Sequence, residues 1–308
     1  MTSSSNPSFA VVDWGTSSFR LWLLDRGGGV VSESRSGEGM MHAARHGFRA
    51  VLGRHLAKVN APSGTPVLIC GMAGARQGWV EAPYVHAPAD LRSIAHKAVR
   101  VVEADHDVRI LPGVAQNDPE VPDVMRGEET QLSGALDASA ADDALVCMPG
   151  THSKWVRVKD RRLDHFTTYM TGEIYALLTQ HSILQHAVDD AGQESDNDAL
   201  FLEAIEQARS DPERVWASFF GVRASQLLGF EDRTCGALRL SGLLIGAEIA
   251  AARSLFGAEK NVTLIASGPV SELYRKALKL NGFEISIINA EKASRGGLFR
   301  YAQQIWGC

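Results

Sequence analysis

The chain has 308 residues, 45% of them hydrophobic and 22% charged, with a formal net charge of −5. That is enough apolar material for a large core and suits two lobes better than one. The acidic balance, with no basic block and no basic stripe interleaved with aromatics, argues against a nucleic-acid partner. The cysteines Cys70, Cys147, Cys235 and Cys308 form neither a C-x-x-C pair nor a disulfide framework, which fits a reducing cytoplasm.

The opening residues, MTSSSNPS, are polar and lack the apolar run of a signal peptide. Residues 9–13 predict a buried strand that ends on an acid, Asp13. A small polar loop follows, Trp14-Gly15-Thr16-Ser17-Ser18. Residues 19–24 predict a second strand, a glycine-rich turn covers 25–29, and residues 30–34 predict a third strand. The first loop gathers backbone N–H groups, three hydroxyls and a carboxylate within a few positions. Such a loop can hold a phosphate, and its acid can hold Mg²⁺, a hard ion that prefers oxygen ligands. An ordinary hairpin with a polar turn is the competing reading.

Residues 43–59 place Phe48, Val51, Leu52, Leu56 and Val59 on one helical face. Residues 66–70 predict a buried strand that runs into GMAGARQGW. Small residues around Met72 allow close backbone approach there. Arg76 projects from this loop at a strand's carboxyl end, where open α/β sheets place ligands. Residues 91–99 predict a helix and 108–112 another buried strand. The segment 113–127, GVAQNDPEVPDVMRG, has two prolines and no periodicity, and reads as a long irregular loop of the kind that often carries function. It brings Asp123 and Arg126 to Glu128 and Glu129, in the first turn of a helix predicted over 128–136. Acids there are commonly dipole partners. A pair of them after an arginine is also a candidate for acid–base chemistry.

Residues 144–148, 154–158 and 163–168 predict three more strands. Pro149-Gly150-Thr151-His152-Ser153 joins the first two, and Lys159-Asp160-Arg161 joins the last two. DWGTSSFRLWLLD and MPGTHSKWVRVKD align without a gap, sharing the Gly-Thr and the Ser two places on. The same three-strand frame surrounds both, so the chain reads as a duplicated βββα unit. Two such lobes facing each other would bring two amide-and-hydroxyl loops to one cleft, holding nucleotide phosphates from both sides. His152 and Lys154 flank the second loop. Residues 171–256 predict mostly helices. The one near 237–256 carries Gly242, Gly246 and Ala250 as a small-residue packing face. Its Arg239, Glu248 and Arg253 mark a buried helix and not a membrane span. A strand over 261–266 runs through Ser267-Gly268-Pro269 into a helix over 271–280, a turn suited to a nucleotide. A strand over 283–288 and a helix over 293–305 close the chain. P-loop, Rossmann, serine-hydrolase and zincin motifs do not occur.

A duplicated βββαβα frame with DxGT-type loops resembles the superfamily of sugar kinases, heat-shock chaperones and actin. More closely, DWGTSSFRLW, MAGARQGWVEAPY, PDVMRGEETQ, and PGTHSKWV with its follower YMTGEIYALLTQHSIL resemble the 2-dehydro-3-deoxygalactonokinase family, from about residue 9 to the end. The resemblance implies an α/β fold of two ribonuclease H-like lobes around a central cleft, residues 1–138 and 139–308. It implies ATP and Mg²⁺ as cofactors, and transfer of the γ-phosphate to the terminal 6-hydroxyl of 2-dehydro-3-deoxy-D-galactonate in galactonate breakdown. A fainter likeness to exopolyphosphatases of the same superfamily, which carry a DxGS loop and a paired glutamate, maps the catalytic glutamate onto Glu129.

The site expected from that resemblance places Asp13 on Mg²⁺. Gly15, Thr16, Ser17, Gly150, Thr151, Ser153 and Lys154 would surround the phosphates, with Gly268 at adenine or ribose. Glu129 would be the base, with Glu128 or Asp123 as alternatives. Arg76, then Arg20 and Arg126, would take the substrate carboxylate, which guanidinium binds bidentately. One departure stands out: where many members put an acid before the glycine of the second phosphate loop, this chain has Pro149. A polyphosphate or nucleotide hydrolase and a kinase for the gluconate-derived isomer are the alternatives within the same fold. A cytoplasmic location, no membrane partner and the option of a homodimer complete the expectations.

Overall fold

A computed structural model describes residues 7–138, 142–189, 198–257 and 259–307. The chain divides into two compact units. The first takes its described residues from 1–143, 158–165 and 288–308, and the second from 144–157 and 166–287.

The first unit opens with β1 (Pro7–Trp14), β2 (Phe19–Asp25) and β3 (Val30–Ser36), paired antiparallel so that Asp13 lies opposite Arg20. Helices α1 (Met40–His46) and α2 (Phe48–Lys58) lead to β4 (Val67–Gly71), which runs parallel to β1. The single helix predicted over 43–59 is two helices. Gly47 breaks it at φ 88°, a backbone conformation that only glycine adopts without strain. After β4 come β5 (Val85–His86), β6 (Val99–Val101), β7 (Val108–Ile110), β8 (Val114–Gln116) and β9 (Asp123–Met125), then α3 (Glu128–Ala138). Two further expectations are corrected here. Residues 91–99 form a 3₁₀ turn, Leu91–Lys97, followed by β6. The segment 113–127 is not wholly irregular, because β8 and β9 pair within it and β5 joins them as a three-stranded sheet. Strands of two or three residues are too short to show a period, so the pairing had no sequence signal.

The main sheet of this unit runs β3-β2-β1-β4-β7-β6. β1 is central. Phe9, Ala10, Val11, Val12 and Trp14 are all buried, as a strand covered on both faces requires. Between Phe9 and Trp14 the polar exception is Asp13.

The second unit's sheet begins with β10 (Ala144–Met148), β11 (Ser153–Lys159) and β12 (Arg162–Tyr169), of which the hairpin tip, 158–165, groups with the first unit. Asp160 and Arg161 both have positive φ, 50° and 59°, which is the backbone of a two-residue hairpin turn matched to strand twist. Helices α4 (Thr171–His181), α5 (Asp198–Ser210), α6 (Val215–Leu227) and α7 (Arg233–Phe256) follow. Next come β13 (Asn261–Ala266), α8 (Pro269–Leu280) and β14 (Glu284–Asn289). The sheet order is β12-β11-β10-β13-β14, with β10 and β13 parallel. Counting from each unit's first strand, both sheets open third, second, first, fourth; the first then adds β7 and β6, and the second adds β14. The duplication inferred from two matching loops is thus a duplication of topology.

Helix α9 (Ala290–Trp306) belongs to the first unit and packs on α3 and β1. The crossing is backbone to backbone: a Cβ on Gly134 would fall 2.0 Å from the Ala293 carbonyl oxygen, and one on Gly297 2.1 Å from that of Thr130. In the second unit, Gly242 and Gly246 of α7 make the expected close approach, to Phe201 and Ile205 of α5. α7 is the one helix among the described residues long and apolar enough to span a membrane, and 67% of its most apolar stretch is buried within the protein.

Candidate active site

Asp13 lies one position before the end of β1, beside the first loop. Its Oδ2 accepts a 3.1 Å hydrogen bond from the Ser294 hydroxyl of α9 and lies 3.9 Å from an Arg20 guanidinium nitrogen. The side chain keeps 16% of its surface open. Burial raises its pKa; Arg20 and Ser294 oppose the rise, and the charges of Glu128 and Glu291 add to it. The loop is held tightly. Gly15 N–H donates to the Ser18 carbonyl at 2.9 Å, and a Cβ on Gly15 would strike Ser18 Oγ at 2.8 Å. The start of α1 braces it from behind, with Met40 N–H donating to the Gly15 carbonyl at 2.9 Å and Met41 N–H to that of Thr16 at 3.2 Å. Thr16 and Ser17 stay exposed on this frame.

Glu129 is fully buried in the first turn of α3. It accepts from Gly127 N–H at 2.6 Å and from the Thr130 hydroxyl at 2.8 Å. Gly127 has φ 107°, which turns its amide toward this carboxylate. Burial, then the neighbouring Glu128, pushes the Glu129 pKa up to about 7. Glu128 is half-buried and accepts from Arg126 N–H at 3.0 Å; Asp123 is half-buried on β9. Cys70 lies close enough to feel both Asp13 and Glu129, which together with burial raise its thiol pKa. Asp13, Glu128 and Glu129 therefore form one electrostatic neighbourhood.

Among the three arginines proposed from the sequence, only Arg126 combines enclosure with unused donors. Its guanidinium stacks on Tyr84, 4.4 Å from the ring centroid, and one terminal nitrogen donates to the Ala82 carbonyl at 3.0 Å. Its Nε and other terminal nitrogen are buried without a hydrogen-bond partner. Gly74, in the GMAG stretch, makes room for it: a Cβ there would sit 2.9 Å from that unpaired nitrogen. Arg76 is 83% exposed and 3.8 Å from Glu81.

In the second unit, Gly150 and Thr151 are exposed, as is His152, which pairs with Glu173. The loop rests on the start of α4: Glu173 N–H donates to the Thr151 carbonyl at 2.9 Å, and a Cβ on Gly172 would fall 2.5 Å from the Gly150 carbonyl. Ser153 is fully buried and Lys154 nearly so, its ammonium donating to the His152 carbonyl at 3.3 Å. Ser153 serves an acid that sequence reasoning treated only as a sign of burial, Glu248 of α7. Glu248 Oε1 accepts from Ser153 Oγ and Trp155 Nε1, each at 2.8 Å. Its Oε2 accepts from the hydroxyls of Thr171 and Tyr274. Burial raises the Glu248 pKa and these four donors oppose the rise. The one sequence signal for it was an acid set between Gly246 and Ala250 on an apolar helix. Ser294 had no signal, since it meets Asp13 across 281 positions of chain.

A cavity of about 210 Å³ opens beside this network. Gly150, Gly172, Ser241, Leu244, Val270 and Leu273 line it, together with Thr171 and Tyr274. It is mainly apolar with a few hydroxyls, as small-molecule sites are. Gly268 caps α8 at φ 69°, one turn before Val270 and Leu273. Among the described residues no group of three or more His, Cys, Asp or Glu could hold a metal ion. Mg²⁺ bound through phosphates needs only one or two carboxylates and keeps its waters. Asp13, partly open and with a single hydroxyl donor on Oδ2, fits that role.

The family described as 2-keto-3-deoxy-galactonokinase matches residues 13–301. A protein of Rhizobium meliloti (strain 1021) named as a 2-dehydro-3-deoxygalactonokinase is 49% identical over 298 residues, 97% of either chain. The 2-dehydro-3-deoxygalactonokinase of Escherichia coli (strain K12) is 33% identical over 96% of this chain and 98% of its own. The crystal structure of a Sinorhizobium meliloti protein assigned the same activity by name superposes with a TM-score of 0.92 at 48% identity, covering 97% of this chain and 100% of that one. Component A of (R)-2-hydroxyglutaryl-CoA dehydratase from Acidaminococcus fermentans shares the fold at a TM-score of 0.53 and 14% identity, over 97% and 99% of the two chains. With the strand order repeated in both sheets, the architecture is that of the actin-like ATPases and sugar kinases.

Proposed function

The chain belongs to the 2-keto-3-deoxy-galactonokinase family of ATP-dependent sugar kinases, and from that premise we propose that it phosphorylates the terminal 6-hydroxyl of 2-dehydro-3-deoxy-D-galactonate, in the cytoplasm, as a step of galactonate breakdown. Phosphoryl transfer asks a protein for positioning and charge neutralisation more than for covalent chemistry. The residues divide that work as follows.

The observation that carries the substrate assignment is Arg126. A buried guanidinium with two idle donors costs free energy unless an anion completes it. A 2-keto acid brings a carboxylate, which a guanidinium takes bidentately. Arg126 therefore ranks ahead of Arg76, whose exposed side chain serves the rim, and ahead of Arg20, whose nearest acid is Asp13. Glu129, poised at about 7, is ionised in a useful fraction at neutral pH and takes the proton of the attacking hydroxyl, directly or through one water. Its enclosure raises the pKa, and its carboxylate holds the Gly127 amide. Half-buried Glu128 is the reserve base. Asp13 would hold Mg²⁺, directly or through water, and the ion would supply charge neutralisation at the transferred phosphate. In the first unit Thr16 and Ser17 offer exposed hydroxyls suited to phosphate oxygens, and in the second unit Gly150 and Thr151 offer an exposed loop of the same kind. The apolar cavity beside α8 takes adenosine. Ser153 is assigned to Glu248 and not to phosphate.

An ATP-coupled assay over a panel of 2-keto-3-deoxy acids tests this reading. ADP is expected to form only when the sugar acid is present, fastest with the galactonate-derived isomer. Phosphate release without any sugar acid would replace the kinase by a hydrolase, and a preference for the gluconate-derived isomer would reassign the substrate. In the same assay Arg126→Ala should raise KM for the acid about 100-fold or more, as loss of one partner of a buried charge pair does, with KM for ATP little changed. An equal rise in both constants would remove Arg126 from the carboxylate site.

A further inference from the structure

Helix α6 carries an apolar face with no cover in its own unit. Its inner face is ordinary: Val215 and Val222 are buried in a cluster with residues of α5 and α7. Its outer face is not. Trp216 is 74% exposed, Phe220 62% and Leu227 62%, and the chain just past the helix adds Leu228 at 66% and Phe230 at 75%. At 3.6 residues per turn, positions 216, 220, 223 and 227 fall on one side. Arg223 on that side is half-buried and donates to Gln226. The stripe alongside is small: Ala217, Gly221 and Ala224. A Cβ on Gly221 would meet nothing within 4 Å.

We propose that this face is where a second copy of the same chain docks, α6 against α6. Three exposed aromatic side chains leave roughly 400 Å² open. With Leu227 and Leu228 the face passes the largest apolar patch usual on a monomer, about 300–600 Å². It approaches the roughly 800 Å² per partner that a stable dimer buries. The shape suits a twofold axis. A ridge of Trp216 and Phe220 stands beside a furrow of Ala217, Gly221 and Ala224, so each copy's ridge can fill the other's furrow, as an isologous contact demands. Charge favours this occupant over a bilayer. Arg223 is the only charged residue of α6, and the chain carries −5 overall, whereas helices that lie on anionic membranes are rich in Lys and Arg.

Sedimentation equilibrium on the full-length protein tests the proposal independently of its catalytic activity. The wild type is expected at twice the 33.3 kDa chain mass. The paired change Trp216→Glu with Phe220→Glu should weaken dimerisation about 100-fold or more, since a few aromatic anchors carry most of an interface's binding energy. Gly221→Arg, which fills the furrow from an open position, should give the same shift and stands in if the paired variant misfolds. A wild type that is monomeric throughout, or a dimer that both variants leave intact, overturns the proposal. So does a monomer that co-sediments with anionic phospholipid vesicles.

Discussion

The two units repeat one topology, yet they treat their buried acids in opposite ways. In the first unit the acid is on the repeated opening strand, one position before its end. Asp13 keeps an open edge and has Ser294 as its hydroxyl donor. In the second unit the matching position is Met148, and the acid comes from a helix instead. Glu248 is enclosed and accepts four hydrogen bonds, two on each oxygen. A carboxylate with every lone pair engaged is scaffolding. It ties the second loop through Ser153, the first turn of α4 through Thr171 and helix α8 through Tyr274. A carboxylate left partly open has coordination to spare for a ligand. Duplication supplied two frames, and the hydrogen-bond complement separates an acid with room for a ligand from one that is fully engaged.

The sharpest way to break this contrast is to remove the charge from each acid in turn. Asp13→Asn should lower kcat by about 10³-fold, within the range that single catalytic groups supply, while circular dichroism and Tm stay near wild type. Near-normal turnover would put Asp13 with the scaffolding. Glu248→Gln should do the reverse. The amide NH₂ would face donors that now point at an oxygen, and Trp155 Nε1–H cannot rotate away. A loss of about 2–4 kcal/mol is expected, from one or two buried donors left unsatisfied. It would read as a lower Tm and a raised KM for ATP, with kcat moving less than in the Asp13 variant. A variant as stable as wild type would refute the supporting role.

Glu129 lies between the two extremes, enclosed but with a pKa pushed up to about 7 from an ordinary 4.5. Its raised value means the folded protein binds this proton more tightly than the unfolded chain does. The associated stability is fully present below about pH 4.5 and is lost as pH climbs through about 7. Between pH 4 and 8 the loss amounts to about 3 kcal/mol at most, taking 1.36 kcal/mol per unit. Glu129→Gln should flatten that slope, so that its Tm gains on wild type as pH rises from 5 to 8. A Tm difference that does not change with pH would show that Glu129 titrates normally. The wild-type kcat/KM should in turn rise with pH through about 7, as the base ionises.

Much of the fold was legible in the sequence, because its signals are local. The runs around Phe9, Phe19, Ala144 and Asn261 are apolar and bounded by polar or glycine turns, and β10 and β13 carry the predicted boundaries. The Gly-Thr-x-Ser match named the duplication before any topology was known. The short strands β5, β8 and β9 were not legible, because two or three residues show no period and their pairing is non-local. Nor was the difference in surroundings among the arginines. Arg76 sits in a glycine-rich loop that draws the eye, whereas Arg126 is singled out only by the stacking of Tyr84 and the space left at Gly74.

By itself, then, the sequence determined the strand–loop–strand frames, their repetition and the residue types available for phosphate, metal and carboxylate. Those depend on hydrophobic period and turn chemistry, which are read over a few neighbouring positions. Only the tertiary structure decided how each buried polar group is satisfied. It brought Ser294 to Asp13, closed four donors on Glu248 and left Arg126 with two. Hydrogen-bond completion is a property of which segments meet in space, and these partners are 26 to 281 positions apart along the chain.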